Sequence, residues 1–490
     1  MRNLLLGLLG ALALLVAVVV VRTLLHQPLA GDSISTTVVT PNIDAERAAR
    51  HLAEAVRFRT VSHQQPEDFE PAEFEGFIDW VARTYPAFHS ALSLTRHGNY
   101  SLLYRWQGSD PSLAPVLITG HYDVVPVIPG TEALWSQPPF GGVVEGDIVW
   151  GRGALDDKSA VIAQLEAATH LLAEGFTPAR TLYFSFGHDE EVGGPNGAGA
   201  VTAYLREQGV QLAWSLDEGS FLFEGMLPGV EQLMAAINVA EKGSVTLNVI
   251  AHADGGHSSM PPQQTAVGRL AEAITRLETT PVPGGLSGLS EQMFDTASRY
   301  MPFTFRLLFA NRWLFDSLVD DQLSATTFGN AMLRTTTAPT MLRASPKVNV
   351  LPIEAVATVN FRVHPRDSVE DVINHVKAVV ENEFVTVEVP PGAGIGASEV
   401  SDWNSEGYTA IADAVRQIYG DVVVTPGLMI AGSDTRHYGQ VADNSFRFNP
   451  MRVTPEDITG FHGTNEKISV ANLAQGVRTY VQIIRNGTGG

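Results

Sequence analysis

Apolar and glycine residues run unbroken from Leu4 to Val21, eighteen positions closed by Arg2 and Arg22. As a helix this run spans roughly 27 Å, close to the roughly 30 Å hydrocarbon core of a bilayer. It predicts an N-terminal hydrophobic segment over residues 1–30, read as an uncleaved anchor. Signal-peptide apolar segments are usually shorter, and Arg22 stands where a small-residue cleavage site would begin. Removal at Pro28-Leu29-Ala30-Gly31 is the alternative. The flanking charges balance, so they do not set the orientation. An export segment of this kind leads outward, so the rest of the chain is expected on the extracytoplasmic side. If the segment is cut, the protein would be secreted or periplasmic.

Beyond the polar, Thr-rich linker 31–43, Ala48, Leu52, Ala55 and Val56 recur at helical spacing, as do Phe74, Phe77, Ile78 and Val81. Leu92–Leu94 and Ser101–Trp106 read as strands. Short apolar runs then end in chemistry four times. Pro115–Gly120 delivers His121-Tyr122-Asp123, and Asp147–Trp150 leads through Gly151-Arg152-Gly153 to Asp156-Asp157 before an amphipathic helix. Thr181–Phe186 delivers Gly187-His188-Asp189-Glu190-Glu191, and Leu212–Leu216 delivers Asp217-Glu218-Gly219. Strands alternating with helices predict a mostly parallel α/β sheet, which places ligands beyond the carboxyl ends of its strands.

The pattern changes near Val239. Strand 245–250, helix 266–277, strands 347–351 and 355–363, helix 369–380 and strand 385–389 follow in the order of a ferredoxin-like unit. The expected division is therefore a catalytic domain in two parts, 31–239 and 397–490, interrupted by a lid domain over 240–396. Within the lid, residues 281–340 form a long apolar insertion. Tyr300, Phe303, Phe305, Phe309, Trp313 and Phe315 give it two readings: packing onto its own domain, or an apolar wall for a greasy substrate group or a membrane.

A formal net charge of −21 argues against nucleic acid or anionic membrane surfaces as partners. The chain has no cysteine, so a metal must be held by His, Asp and Glu. Three consecutive acids beside an apolar strand are costly unless positive charge lies there. A two-metal hydrolase uses two cations roughly 3.5–4 Å apart, a shared carboxylate and a free carboxylate as base. His121, Asp156, Glu191, Asp217 and His462 are the candidate ligands, with Glu190 beside Glu191. Asp123, two residues beyond His121, is placed to orient the imidazole.

His121–Pro126, Gly151–Lys158, Gly187–Gly194 and Gly256-His257-Ser258-Ser259-Met260-Pro261 together resemble the carboxypeptidase S and aminoacylase family. That family of di-metal peptidases also includes bacterial glutamate carboxypeptidase and succinyl-diaminopimelate desuccinylase. The likeness runs from Asp44 to the end and is strongest to the carboxypeptidase S and N-fatty-acyl-amino-acid hydrolase branch. It implies two Zn2+, with Mn2+ or Co2+ as alternatives. Asp156 would bridge, His121 and Asp217 would hold one ion, and Glu191 and His462 the other. Asp217 and Glu218 are adjacent, leaving a one-residue ambiguity that the family pattern resolves toward Asp217.

The resemblance further implies a cis Asp156–Asp157 peptide bond and Glu190 as general base. It has His257 reach the site to stabilise an oxyanion, often from a partner subunit, so a homodimer through the lid belongs to the expectation. Arg362 and Asn349 would receive the substrate carboxylate, which a guanidinium's paired N–H groups suit. The expected function is hydrolysis of a peptide or N-acyl amide bond next to a free carboxylate, through a metal-bridging water. A catalytically silent binding or scaffold protein on the same fold is the alternative. It would require loss of a ligand or of the base, and neither is lost.

Overall fold

The computed structural model describes residues 2–28, 37–225, 229–392 and 394–489. The proposed cut at Leu29–Gly31, the start of the 31–43 linker and Ala393 lie outside the described residues.

Eight strands form the large sheet, in the spatial order Ser93–His97, Ser101–Trp106, Leu182–Gly187, Val116–His121, Trp214–Phe223, Ser445–Val453, Leu233–Glu241 and Val422–Met429. Its centre is parallel: Val116–His121 lies between Leu182–Gly187 and Trp214–Phe223, and Ser445–Val453 continues beyond them. The sheet as a whole is mixed, where a mostly parallel one was expected. Gly98 and Asn99 both take positive φ, 54° and 72°. Such a turn folds the first two strands into an antiparallel hairpin. On the far side Leu233–Glu241 meets Ser445–Val453 antiparallel before pairing in parallel with Val422–Met429. The helix Lys158–Ala173, buried along most of its length, lies against Ala45–Val56 and Val470–Thr488.

A second sheet holds Thr336–Arg343, Glu354–Val363, Gly243–His252 and Val385–Glu388, all antiparallel. Ala266–Thr279 and Val369–Val379 pack on it over a core of its own, including Val245, Leu247, Val249, Leu270, Phe361 and Val376. The strand expected at 347–351 shrinks to Val350–Leu351, paired with Gly256–His257. Pro346 and Pro352 on either side confine it.

The insertion is helical: Leu289–Ser298, Phe303–Ala310, Arg312–Ser324 and Thr327–Leu333. Its last residues, from Thr336, already form a strand of the small sheet, whereas its helices turn to the large one. Leu289, Met293, Phe294, Val319, Met332 and Leu333 join the core of the large one, and Leu289–Ser298 lies along the edge strand Val422–Met429.

The N-terminal helix Arg2–Leu25 has length enough to cross a membrane, and its most apolar 18-residue stretch has a mean hydropathy of 3.1. Its first turns are exposed, whereas Val19, Thr23 and the following His26 are buried against the insertion. The Asn311 amide donates to Val19 O and Thr23 Oγ1, both at 3.2 Å. Arg22 Nε donates to Ala310 O at 3.0 Å, and His26 Nε2 lies 2.8 Å from Ser298 Oγ.

Candidate active site

The parallel strands deliver their polar residues to one place because each ends in a short turn. Val116–His121 is buried throughout and ends on His121. Leu182–Gly187 runs into Asp189-Glu190-Glu191, which Gly193 and Gly194 close at φ 98° and 67°. A side chain at Gly194 would also collide with the Asp434 carboxylate.

Asp156 stands between two imidazoles. Its Oδ1 lies 3.2 Å from His121 Nε2 and its Oδ2 lies 3.1 Å from His462 Nε2. Glu191 Oε2 is 3.4 Å from the same His462 nitrogen, while Glu191 Oε1 is buried without a hydrogen-bond partner. Ligand atoms of His121, Asp156 and Glu191 all lie within 4.8 Å of one another, a group that could hold a metal ion. The Asp156–Asp157 peptide bond is cis.

Asp123 does more than orient His121. His121 Nδ1 lies 3.0 Å from the Asp123 main-chain carbonyl and 3.4 Å from its Oδ1. The carboxylate also accepts from Ser62 Oγ and from the backbone N–H groups of Glu190 and Glu191. It therefore fixes the acidic turn against the end of the neighbouring strand.

Asp217 and Glu218 differ in their surroundings. Asp217 accepts from Thr435 Oγ1 and from the Glu218 N–H, both at 2.9 Å. The Glu218 carboxylate makes no hydrogen bond among the described residues, and Asp156 is the leading charged neighbour acting on it.

The electrostatics describe a site short of positive charge. Burial, reinforced by neighbouring acids, raises the pKa of Glu191, Glu218, Asp157 and Asp434, and burial alone raises that of Asp217 against its hydrogen bonds, His121 and Arg447. Burial pushes Glu190 up to about 8, with Glu191, Asp123 and Asp156 adding to it against His121. Asp156 and Glu191 hold the half-exposed His462 imidazolium up to about 10. A buried oxygen without a partner, carboxylates crowded together and two imidazoles aimed at one of them make a donor set that fits divalent cations.

Other expected residues lie apart from this group. Arg362 sits on Glu354–Val363 and lines a cavity of about 350 Å³ with Lys242, Arg436 and Arg447. Arg436 links that cavity to the cluster, its Nη2 lying 3.8 Å from Glu190 Oε1. His257 is exposed and bonds locally to Ser259. Among the described residues it makes no hydrogen bond or ion pair with the cluster. Asn349 accepts from Ser258 N through its main-chain oxygen, and its Oδ1 is buried without a partner. His188 and His437 bond to Ser101 Oγ and Gly193 O, shaping loops behind the site.

Sequence reasoning missed Glu466. Its Oε1 accepts from the backbone N–H groups of Leu155 and Asp156, and its Oε2 pairs with Arg152. No local pattern marks this isolated acid, which follows His462 by four residues in a non-helical loop.

An α/β sheet with buried acids and imidazoles gathered at its strand ends defines a hydrolytic enzyme of the metallopeptidase class. The chain belongs to peptidase family M20/M25/M40, whose model matches residues 117–486. It is 38% identical to probable carboxypeptidase S-like 2 of Dictyostelium discoideum, over 99% of this chain and 93% of that protein. It is 39% identical to the N-fatty-acyl-amino acid synthase/hydrolase PM20D1 of Mus musculus, over 89% of this chain and 86% of that protein. In fold it resembles an M20 family metallo-carboxypeptidase from Sulfolobus solfataricus, with a TM-score of 0.65 at 16% identity, covering 89% of this chain and 98% of that one.

Proposed function

We propose that this enzyme hydrolyses a peptide or N-acyl amide bond next to a free carboxylate. The observation that carries the reading is Asp156, whose two oxygens are divided between His121 and His462 with Glu190 alongside. His121, Asp156, Glu191 and His462 would hold two divalent cations, zinc first and manganese or cobalt as alternatives. The fifth ligand comes from the Asp217–Glu218 pair. Glu218 suits it better because both Asp217 oxygens already have partners. When bound, such a pair of ions supplies Lewis acidity and makes hydroxide accessible at neutral pH.

The remaining work falls to side chains. Glu190, whose one ion-pair partner among the described residues is Arg436 at 3.8 Å, takes a proton from the attacking water. It then passes that proton to the leaving amine. Arg362 and Asn349 receive the substrate carboxylate, and Arg436 borders the same cavity. Residues 240–396 act as a lid whose closure, or whose pairing with a second copy, brings His257 to the developing oxyanion. Exposure of His257 in this structure is compatible with either route.

The likeness to a carboxypeptidase S-like protein and to an N-fatty-acyl-amino acid synthase/hydrolase favours two substrate classes, C-terminally cleaved peptides and N-fatty-acyl amino acids. The N-terminal helix is retained as an anchor, because its removal would strip partners from the buried Asn311 amide. The catalytic body would then stand on the extracytoplasmic side.

A panel of dipeptides and N-acyl amino acids of matched length tests this reading, with metal content measured in parallel. Hydrolysis that disappears when the free carboxylate is amidated supports it. In Glu190→Gln, turnover should fall about 10²–10⁴-fold with metal retained. Near-normal turnover in that variant would overturn the base assignment.

A further inference from the structure

The N-terminal helix is free of the body only over residues 2–18, seventeen residues or about 25 Å. That falls short of the roughly 30 Å of hydrocarbon a spanning segment must cross. The bilayer boundary therefore falls on the next two turns, Val19–Leu25, where Leu24 and Leu25 remain 55% and 76% exposed. These are the turns that Ala310 and Asn311 hold. Whatever surrounds them at that depth meets the insertion as well.

What the insertion presents nearby is apolar. Phe303 and Phe305 are exposed on the helix that packs against the N-terminal one. Trp313, Leu314 and Leu318 are exposed on the next helix, whose adjoining side buries Val319 and packs Phe315 on the core. Leu314 and Leu318 are one turn apart and share a face. Nearby, Arg299 pairs with Asp295 and Arg312 with Glu291 and Asp316, while Arg22 and Arg306 make no ion pair among the described residues. The acids around the patch and the net charge of −21 weigh against an anionic lipid surface, so a neutral one suits it better.

We propose that this face of the insertion lies in the interfacial layer of the bilayer that the N-terminal helix enters. It would form an embedded platform beside the spanning segment, with Trp313 at headgroup depth. The inference rests on the retained anchor proposed above.

The test uses the full chain in phosphatidylcholine vesicles, with or without bromine in the upper acyl chain. Trp313 emission is taken as the difference between the wild type and Trp313→Phe, since the chain has 7 tryptophans. Flotation with the vesicles, together with Trp313 emission at least halved by brominated lipid, is the expected result. Flotation without quenching would overturn the platform and leave the anchor standing. Failure to float would overturn both. Phe305→Trp in the Trp313→Phe background repeats the measurement on the neighbouring helix, where quenching is again expected.

Discussion

Arg152 Nη1 and Glu466 Oε2 meet at 2.6 Å, and both side chains are buried, at 2% and 0% exposure. The other Glu466 oxygen holds the backbone N–H groups of Leu155 and Asp156. One acid therefore neutralises a buried guanidinium and fixes the main chain that carries the central carboxylate.

Removing one partner leaves an uncompensated buried charge, which typically costs about 3–5 kcal/mol. Arg152→Met should lower stability by about that amount in denaturant titration, whereas Arg152→Met with Glu466→Met should cost less. A loss in the double variant equal to the sum of the losses in Arg152→Met and Glu466→Met alone would show that the two charges are not coupled.

The Asp217–Glu218 step offers a direct comparison. Glu218→Gln should weaken metal binding about 10–100-fold or more by removing an open donor. Asp217→Asn should retain more metal, because its loss falls first on the contact with Thr435. Metal content after dialysis against graded chelator reads both variants. The reverse order would make Asp217 the ligand.

These two cases also mark what the sequence could tell. His121, Asp156 and Glu190-Glu191 were legible because each follows an apolar run and a glycine-bounded turn, a local signal. Glu466 lies 310 residues from Asp156 and has no such signature. Leu233–Glu241 was missed as a strand because its alanines dilute the β-branched character that marks one. The insertion's aromatic residues left two readings open, packing or an apolar wall, and they divide between them. Phe309 and Phe315 pack on the large core while Phe303, Phe305 and Trp313 stay exposed, since a composition of that kind fixes apolarity and not a partner.

Asp123 is expected to act through others. Its carboxylate receives Ser62 Oγ at 2.6 Å and the N–H groups of Glu190 and Glu191 at 3.2 and 3.1 Å. Asn offers one accepting oxygen where the carboxylate offers two, so Asp123→Asn should release part of the turn. The expected loss is about 10–100-fold in kcat, or in metal affinity, with the fold intact by circular dichroism. Unchanged kcat and metal content would show that the turn holds its shape without this brace.

His364 gives stability a pH dependence of definite sign. It is 5% exposed at the end of Glu354–Val363, accepting from Arg366 N at 3.2 Å and lying 3.5 Å from Ser290 Oγ of the insertion. Burial, with Arg366 and Lys242 adding to it, pushes its pKa down to about 4. The unfolded chain takes up this proton near pH 6.5, whereas the folded chain resists it until about 4. The contribution is therefore fully present above pH 6.5 and is lost as pH falls toward 4, by about 3 kcal/mol in all. Asn at this position can still accept from the Arg366 N–H but does not titrate. The difference in unfolding free energy between the wild type and His364→Asn should be constant above pH 7. It should shift steadily against the wild type between pH 6.5 and 4. A difference that stays level across that window would show that the imidazole is protonated as readily in the folded protein as in the unfolded chain.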